Sequence, residues 1–340
     1  MRKLLNTLYV TTPKSYLSRD GQNLVVSVDK EERFRIPILN LEGVVTFGYL
    51  GASPGLMKLC VDNGVSLTFL SPAGRFIGRL QGQTKGNVFL RMEQYRIAAI
   101  PEESLHLARL IIAAKIQNQR NVLRRFIRDN GESGVIDAIC KTLEYSKIRA
   151  LKSKNLEILR GIEGESATAY FSVFDSMILH QKKDFSFAGR NRRPPKDAVN
   201  ALLSFAYTLM TNECAAALET VGLDPYVGFL HRLRPGRTSL ALDLVEEFRA
   251  YLCDRLVLSL INRRQISGCD FVIQGDDGVV LNENGRKTMI TAWQSRKKEI
   301  IEHPYLHEKV EIGLLPYVQA MLLARYLRKD LDDYPIFISR

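Results

Sequence analysis

The chain has 340 residues, of which 46% are hydrophobic, so it can build one large domain or two of ordinary size and is not predominantly disordered. Its formal net charge of +11 favours an anionic partner, with nucleic acid first and an acidic membrane surface second. No apolar run is long enough to span a bilayer, and the run near the N-terminus is too short for a secretory signal.

The cysteines favour a reduced, intracellular protein. None is spaced as Cys-x-x-Cys, which argues against a zinc ribbon, and most lie within apolar patterns typical of buried thiols. An odd number of cysteines suits a reducing cytosol, so we expect a cytoplasmic protein. The five are Cys60, Cys140, Cys214, Cys253 and Cys269.

The N-terminal quarter is predicted to be mostly strand. Short β-rich runs such as "NLVVSV" and "GVVTFGYL" alternate with turn residues, and Asp20-Gly21 is a hairpin signal. One helix interrupts the strands, with Ser53 as its cap, Pro54 at its first position and Gly64 as its end. The polar segment "QGQTKGN" marks a boundary, which predicts a β-rich domain over 1–85 and a second domain over 86–340.

The second domain is predicted to be mostly helical. "ESLHLARLIIAAKIQNQRNVLRRFIRDNG" has apolar residues every three or four positions and ends at Gly131. Only "FVIQGDDGVVL" breaks the series, as a hairpin turning at Asp277-Gly278. The predicted fold class is α+β, with the β-rich domain first and a larger, mostly α-helical domain after it. Further helical patterns cover 135–149, 163–180, 197–221, 240–264, 285–302 and 311–329.

Carboxylates cluster on one predicted helix. Projected at 100° per residue, Asp243 and Glu246 lie together on the side away from the apolar stripe, and Glu247 lies at its margin. Two adjacent carboxylates favour a divalent cation between them, and oxygen ligands suit Mg²⁺ or Mn²⁺. The alternative is an acidic first turn that complements the helix dipole, and the helix alone favours that interpretation.

Two further residues are candidates for the same site. His231 ends the apolar run "VGFL" beside a basic loop and this acidic helix, although such a histidine is more often structural. Glu163 lies between Gly161 and Gly164 at a predicted helix entry, where small residues allow close approach. Glu165 is an alternative, which also fits as an ordinary early-turn charge.

Two basic segments flank these candidates and are predicted to contact DNA phosphates. The loop "QKKDFSFAGRNRRPPKD" is alternatively a solvated connector. Its Phe185 and Phe187 could stack on bases, but anchoring of the loop in the core is favoured. The predicted DNA-binding residues are Arg190, Arg192, Arg193, Lys196, Arg232, Arg234 and Arg237.

Other catalytic motifs do not occur. The sequence contains no phosphate-binding G-x-x-x-x-G-K-[ST] loop, no G-x-S-x-G nucleophile elbow, and no G-x-G-x-x-G after a predicted strand.

Several segments together resemble one protein family. They are "RGIEGESATAYF", "RRPPKDAVNALLSFAYTLM", "GLDPYVGFLHRLRPGRTSLALDLVEEFRAYLCDRLV" and "HPYLHEKVEIGLLPYVQAMLLARYLRKDLDDYPIF". In this order they resemble the integrase of CRISPR spacer acquisition, the first-numbered CRISPR-associated endonuclease, and are most similar to its type I-C branch.

The resemblance implies the roles of the candidate residues. Glu163, His231 and Glu246 match the family's catalytic metal ligands, with glutamate at the last position where aspartate is common. Asp243 matches an acidic residue that supports or adjoins the site, and Asn200 matches a family asparagine of unassigned role. Glu247 has no match and is not expected to participate.

The resemblance also implies a reaction and partners. A DNA 3′-hydroxyl attacks a phosphodiester at the repeat boundary, and Mg²⁺ or Mn²⁺ stabilises the developing charge. The expected partners are short duplex DNA, CRISPR repeat DNA, a second copy bound through the β-rich domain, and the small ferredoxin-like second-numbered CRISPR-associated protein in a prokaryotic cytoplasm. A metal-dependent structure-specific nuclease acting on branched DNA in repair and a non-catalytic DNA-binding scaffold are the alternatives.

Overall fold

The computed structural model describes residues 7–48, 51–71, 76–80, 82, 88–191, 194–275 and 278–339. A strand-rich N-terminal region precedes a mostly helical C-terminal region, so the predicted α+β class is confirmed. The predicted boundary segment "QGQTKGN" lies outside the described residues except for Gly82. No helix among the described residues is long and apolar enough to cross a membrane.

The described residues of the N-terminal region form two sheets. One has the order β1-β5-β6-β7, with β1, β5 and β6 parallel and β7 antiparallel at its edge, and the other is the antiparallel sheet β2-β3-β4. The strands are β1 (Thr7–Val10), β2 (Ser15–Asp20), β3 (Asn23–Val28), β4 (Glu31–Pro37), β5 (Gly43–Phe47), β6 (Ser66–Leu70) and β7 (Phe76–Leu80).

The local signals in this region are confirmed. Gly21 has φ +56° in the turn between β2 and β3, a conformation that glycine adopts without strain. The helix α1 spans Pro54–Asp62, and Ser53 Oγ accepts a hydrogen bond from the Leu56 amide at 3.2 Å.

Helices build the rest of the chain. They are α2 (Val88–Ala99), α3 (Pro101–Asn130), α4 (Gly134–Leu151), α5 (Leu156–Ser172), α6 (Ala198–Val221), α7 (Ser239–Phe248), α8 (Arg255–Asn262), α9 (Glu283–Lys297) and α10 (Leu315–Leu327). Most predicted helices are present, but α5 begins earlier than predicted, so Glu163 lies inside a helix rather than at its entry. A π-helical segment, Arg249–Asp254, joins α7 to α8.

Two hairpins lie among the helices. The predicted one pairs β8 (Phe271–Gln274) with β9 (Gly278–Leu281), and Asp277 of its turn lies outside the described residues. A second hairpin, β10 (Ile300–Glu302) with β11 (Lys309–Glu311), was not predicted. The prediction placed 285–302 and 311–329 in helices, because these three-residue strands are too short to show an alternating pattern.

The buried residues form two clusters. The smaller lies within the N-terminal region, and the larger joins β5 and β6 to the helices. Phe185 and Phe187 are buried in the larger cluster, so the prediction of core anchoring holds. All five cysteines are free thiols, and among them Cys269 is exposed.

A buried amide fixes the C-terminal segment against the long helix α3. Asn118 Nδ2 donates to the carbonyl oxygens of Glu247 at 2.7 Å and Phe337 at 2.9 Å. Its Oδ1 accepts from the amide of Ser339 at 2.8 Å and from the hydroxyl of the same residue at 3.1 Å. The side chain is thus fully satisfied, and it links α3, α7 and the last residues of the chain.

Replacing Asn118 by alanine should therefore leave several buried polar groups without partners. We expect Asn118→Ala to lower the free energy of unfolding by about 3 kcal/mol. Urea denaturation measures this, with Asn130→Ala at the exposed end of the same helix as a control that changes it by less than about 0.5 kcal/mol. Equal effects of the two substitutions would contradict this role of Asn118.

Candidate active site

The acidic helix α7 is buried along its length except at Leu242, which is partly exposed. Asp243, Glu246 and Glu247 are 0%, 3% and 0% exposed and lie beyond the first turn of the helix, so the interpretation as an acidic first turn is wrong. The projection at 100° per residue placed Glu247 at a margin, but its side chain lies in the core. Buried carboxylates need hydrogen bonds or opposite charges, and each of the three finds them in a different part of the chain.

Asp243 fixes His231. Its carboxylate accepts from the backbone amides of Phe229 at 2.6 Å, Leu230 at 3.0 Å and His231 at 3.1 Å. Asp243 Oδ1 also lies 2.6 Å from His231 Nδ1. A carboxylate on Nδ1 orients the imidazole and leaves Nε2 as the nitrogen available to a ligand or substrate.

The loop carrying His231 is pinned from two further sides. Gly228 lies so close to α7 that a Cβ there would be 2.6 Å from Asp243 Oδ2, so only glycine fits. From α5, Arg160 Nη2 donates to the Leu230 carbonyl at 2.7 Å. His231 is thus held by a constrained loop that follows the apolar run "VGFL".

The two predicted glutamate ligands meet through a lysine. Lys115 of α3 pairs with Glu163 Oε1 of α5 and lies 2.9 Å from Glu246 Oε2 of α7. The lysine and Glu246 side chains are 4% and 3% exposed, whereas Glu163 is 31% exposed. The structure therefore brings Glu163 and Glu246 to one place, with an ammonium group between them.

A second cation contacts Glu246. Arg249 Nη2 lies 3.1 Å from Glu246 Oε1, and its guanidinium stacks 4.6 Å from the centre of the Tyr207 ring. Burial alone raises the pKa of the Glu246 carboxyl, but the charges of Arg249 and Lys115 outweigh it and lower the pKa to about 2. Glu246 is therefore ionised at neutral pH.

Glu247 points to the other side of the helix. Its carboxylate accepts from the Phe337 amide at 2.7 Å, the Tyr334 hydroxyl at 2.5 Å and Gln319 Nε2 at 2.8 Å. Burial raises the pKa of Glu247 to about 7 despite these donors. Glu247 anchors the C-terminal segment.

A cleft of about 1060 Å³ opens beside this cluster. Glu163, Lys115 and Arg249 line it, and Glu246 is in contact with the last two. The cleft is large for a small-molecule site, and its glycines and small side chains allow an extended ligand to approach closely. Its other polar lining includes Gln119, Arg190, Ser204 and Thr238.

Asn200 organises the basic loop at the edge of the cleft. Its Nδ2 donates to the Gly189 carbonyl at 2.8 Å, and its Oδ1 accepts from the Asn191 amide at 3.1 Å and from Arg190. Arg190 in turn lies 5.2 Å from the centre of the Tyr207 ring. Asn200 is thus a positioning residue that presents the loop to the cleft.

The other predicted DNA-binding residues differ in their surroundings. Arg192 and Arg193 lie outside the described residues. Lys196 and Arg234 are exposed, whereas Arg232 pairs with Glu157 at 2.9 Å. Arg237 is half-buried.

The donor set fits a hard divalent cation, although its charge is already balanced. Two carboxylates and one imidazole nitrogen are the ligand types that Mg²⁺ and Mn²⁺ accept. Glu246 Oε2 is buried and, among the described residues, has no well-aligned hydrogen-bond donor apart from the Lys115 ion pair. As the described side chains stand, no three His, Cys, Asp or Glu converge closely enough to hold an ion.

Lys115 and Arg249 were missed by sequence reasoning. The sequence does carry a signal for the first, because Lys115 is a lone charge inside the apolar run "LIIAAKI" of a central helix. A lysine there is expected to pair with a carboxylate. Nothing in the sequence indicates which carboxylate that is.

Solved structures establish the fold class. A structure described as TM1797, a CAS1 protein from Thermotoga maritima, is 24% identical, with a TM-score of 0.83 over 98% of this chain and 100% of that chain. A casposase bound to integration product is 22% identical, with a TM-score of 0.84 over 97% of this chain and 92% of that chain.

Sequence relatives establish the family. The model for CRISPR associated protein Cas1 matches residues 8–295. The CRISPR-associated endonuclease Cas1 1 of Chlorobaculum tepidum is 51% identical over 100% of both chains, and Cas1 2 of Rhodospirillum rubrum is 48% identical over 98% of both. The chain therefore belongs to the Cas1 family of CRISPR-associated endonucleases, which confirms the family predicted from its motifs.

The contacts of Asp243 predict a large effect on stability. Asp243→Ala removes the acceptor for three backbone amides and the His231 ring, so we expect the free energy of unfolding to fall by about 3 kcal/mol or more. Urea denaturation measures the change, with Asp137→Ala on the exposed face of α4 as a control of about 0.5 kcal/mol or less. A loss below about 1 kcal/mol for Asp243→Ala would contradict its anchoring role.

Proposed function

We propose that this protein inserts short DNA fragments into a CRISPR array by attack of a 3′-hydroxyl on a phosphodiester, and that the reaction depends on Mg²⁺ or Mn²⁺. Membership of the Cas1 family supports the proposal, together with the meeting of Glu163 and Glu246 at Lys115 and the contact of His231 with Asp243 on the same helix as Glu246. The casposase with a similar fold is bound to an integration product, which favours strand transfer over cleavage alone. The quoted motifs further favour the type I-C branch.

Each residue of the proposed site has a separate role in the reaction. Glu163, His231 through Nε2 and Glu246 would hold the cation, which supplies charge stabilisation at the phosphoryl, attacking and leaving oxygens. Asp243 keeps the imidazole in one orientation, and Arg249 holds the Glu246 carboxylate. Water in place of the 3′-hydroxyl gives phosphodiester hydrolysis at the same site, which accounts for an endonuclease.

Two neighbouring glutamates test these roles. We expect Glu246→Gln to reduce integration and cleavage by at least about 100-fold, because one cation ligand and its charge are lost. Glu247→Gln should retain most activity, since this side chain contacts the C-terminal segment instead. The measurement is strand transfer of short duplex DNA into a supercoiled repeat plasmid with Mn²⁺, with EDTA as the blank.

The Glu246→Gln and Glu247→Gln variants also distinguish loss of catalysis from loss of DNA binding. DNA affinity, measured by fluorescence anisotropy, should stay within about threefold for both variants, because the phosphate contacts come from other residues. An active Glu246→Gln variant beside an inactive Glu247→Gln variant would reverse the proposed roles. Cleavage without any strand transfer in the wild type would favour the alternative of a repair nuclease.

DNA binding is proposed to use the basic loops beside the cleft. Lys196 and Arg234 are exposed in these loops, and each lost phosphate contact should reduce the slope of log affinity against log salt by about 0.9. The double variant Lys196→Ala, Arg234→Ala should therefore lower the slope by about 1.8. Lys58→Ala, whose side chain pairs with Asp62 on α1, is the control and should leave the slope unchanged. An unchanged slope in the double variant would show that these loops do not contact DNA phosphates.

The β-rich region is proposed to form a homodimer. Leu39 and Ile77 are 71% and 50% exposed there, and Ile77 lies on β7 at a sheet edge. The double variant Leu39→Asp, Ile77→Asp should weaken dimerisation at least about tenfold in sedimentation velocity, because it places charge in an apolar contact. Tyr145→Asp on α4 is an equally exposed control that should leave the dimer intact. An undisturbed dimer in the double variant would move the interface elsewhere.

A Cas2 protein is the proposed further partner. A complex described as Cas6-RT-Cas1--Cas2 contains a chain whose fold matches all of this one, with a TM-score of 0.84 over 37% of that chain. We propose that the small ferredoxin-like Cas2 bridges two dimers of this protein.

A further inference from the structure

Lys115 occupies the point where the two glutamates meet. It projects from the middle of α3, its ammonium group pairs with Glu163 Oε1, and Glu246 Oε2 lies 2.9 Å away. The side chain is only 4% exposed. No other buried lysine among the described residues bridges two carboxylates, since Lys297 pairs with Glu213 alone.

Electrostatics explains why a cation is needed there. Glu163 and Glu246 come from two different helices, and two carboxylates brought together in a water-poor site repel each other strongly. A lysine buried without a partner would be equally unfavourable. The triad therefore stabilises the contact of α3, α5 and α7 without any ion.

We infer that Lys115 is an internal counterion that holds Glu163 and Glu246 together until a divalent cation displaces its ammonium group from at least one of them. The inference rests on the proposed cation site and adds a control of its occupancy. Lysine thus competes with Mg²⁺ or Mn²⁺ for the same carboxylate oxygens.

The positive charge of Lys115 and the length of its side chain both support displacement of its ammonium group by a divalent cation. An ammonium group and a divalent cation on the same two carboxylates would lie a few ångströms apart and repel each other. The Lys115 side chain is a flexible four-carbon stem, so its ammonium can move while its backbone stays in the helix. Arg249 cannot leave as readily, because it is also stacked on the Tyr207 ring.

An alternative acceptor lies on the same helix. Gln119 is one turn beyond Lys115, is 2% exposed and lines the same cleft. Its Oε1 is buried and has no hydrogen-bond partner among the described residues. Residues four apart on a helix are neighbours, so this oxygen can accept a hydrogen bond from the released ammonium.

The experiment titrates full-length protein with Mn²⁺ alone and measures free Mn²⁺ by electron paramagnetic resonance. The Lys115→Met variant keeps the apolar stem and removes the charge, so we expect its dissociation constant for Mn²⁺ to fall roughly tenfold or more. In EDTA the same variant should unfold at a lower temperature than wild type, and Mn²⁺ should raise that temperature by more than it does in wild type. The Glu246→Gln variant should abolish Mn²⁺ binding, which would show that the ion binds at this site.

Two further variants make the result specific. Lys297→Met removes a buried lysine paired with Glu213 at 2.8 Å outside the cleft, so it should lower the unfolding temperature and leave Mn²⁺ affinity unchanged. Lys115→Gln removes the charge but keeps a hydrogen-bond donor for the carboxylates. It should also tighten Mn²⁺ binding, and it serves if Lys115→Met does not fold in EDTA.

The outcomes separate the inference from the proposed function. Wild type that binds Mn²⁺ through Glu246, with equal or weaker binding by the Lys115 variants, would overturn the inference and leave the cation site standing. Absence of any Glu246-dependent Mn²⁺ binding, in wild type and the Lys115 variants alike, would overturn the cation site and the inference together.

Discussion

The burial of three carboxylates within five residues of α7 is the constraint on which this region depends. Asp243, Glu246 and Glu247 are removed from water, and each must be matched by donors or cations. Asp243 accepts hydrogen bonds from the amides of the loop 229–231, and Glu246 forms ion pairs with Lys115 and Arg249. Glu247 accepts hydrogen bonds from the C-terminal segment. One helix thereby fixes the His231 loop, the helices α3 and α5, and the chain terminus around itself.

This arrangement links stability to chemistry. The groups that satisfy Asp243 also orient His231, and the groups that satisfy Glu246 also fix its distance from Glu163. The site is consequently preorganised by the same contacts that hold the fold, which is the condition for effective electrostatic catalysis. The charge of the two glutamates is balanced by Lys115 and Arg249, so the proposed divalent cation would enter by a rearrangement rather than by simple addition.

Much of the fold follows from local signals in the sequence. The hairpin at Asp20-Gly21, the cap at Ser53 and the glycine stop at Gly131 depend on nearest neighbours, and all three are present. The hairpin of β10 and β11 was missed because its strands are three residues long. The projection at 100° per residue did not anticipate the π-helical segment Arg249–Asp254, where the angle per residue differs.

The residues of the site likewise separate into those that the sequence predicts and those that only the folded chain reveals. The family motifs predict Glu163, His231 and Glu246 as cation ligands, and the structure brings Glu163 and Glu246 together through Lys115. The roles of Lys115 and Asn200 depend on contacts between residues 10 to more than 100 positions apart, which no periodicity encodes. Arg249 lies only three positions from Glu246, but the Tyr207 ring on which it stacks is 42 positions away. The direction in which the Glu247 side chain points likewise depends on a C-terminal segment about 90 residues away. Only the folded chain shows that this segment packs against Glu247.

The most direct measurement of the central claim is the position of a bound cation. Crystals of the protein soaked in MnCl₂ give anomalous scattering at the manganese absorption edge, which locates the ion without assumptions about activity. We expect one strong peak between the carboxylates of Glu163 and Glu246 and Nε2 of His231, with the Lys115 ammonium moved from its place, and no such peak in Glu246→Gln crystals. A fully occupied Mn²⁺ peak elsewhere in the cleft, with Lys115 still bridging Glu163 and Glu246, would contradict it.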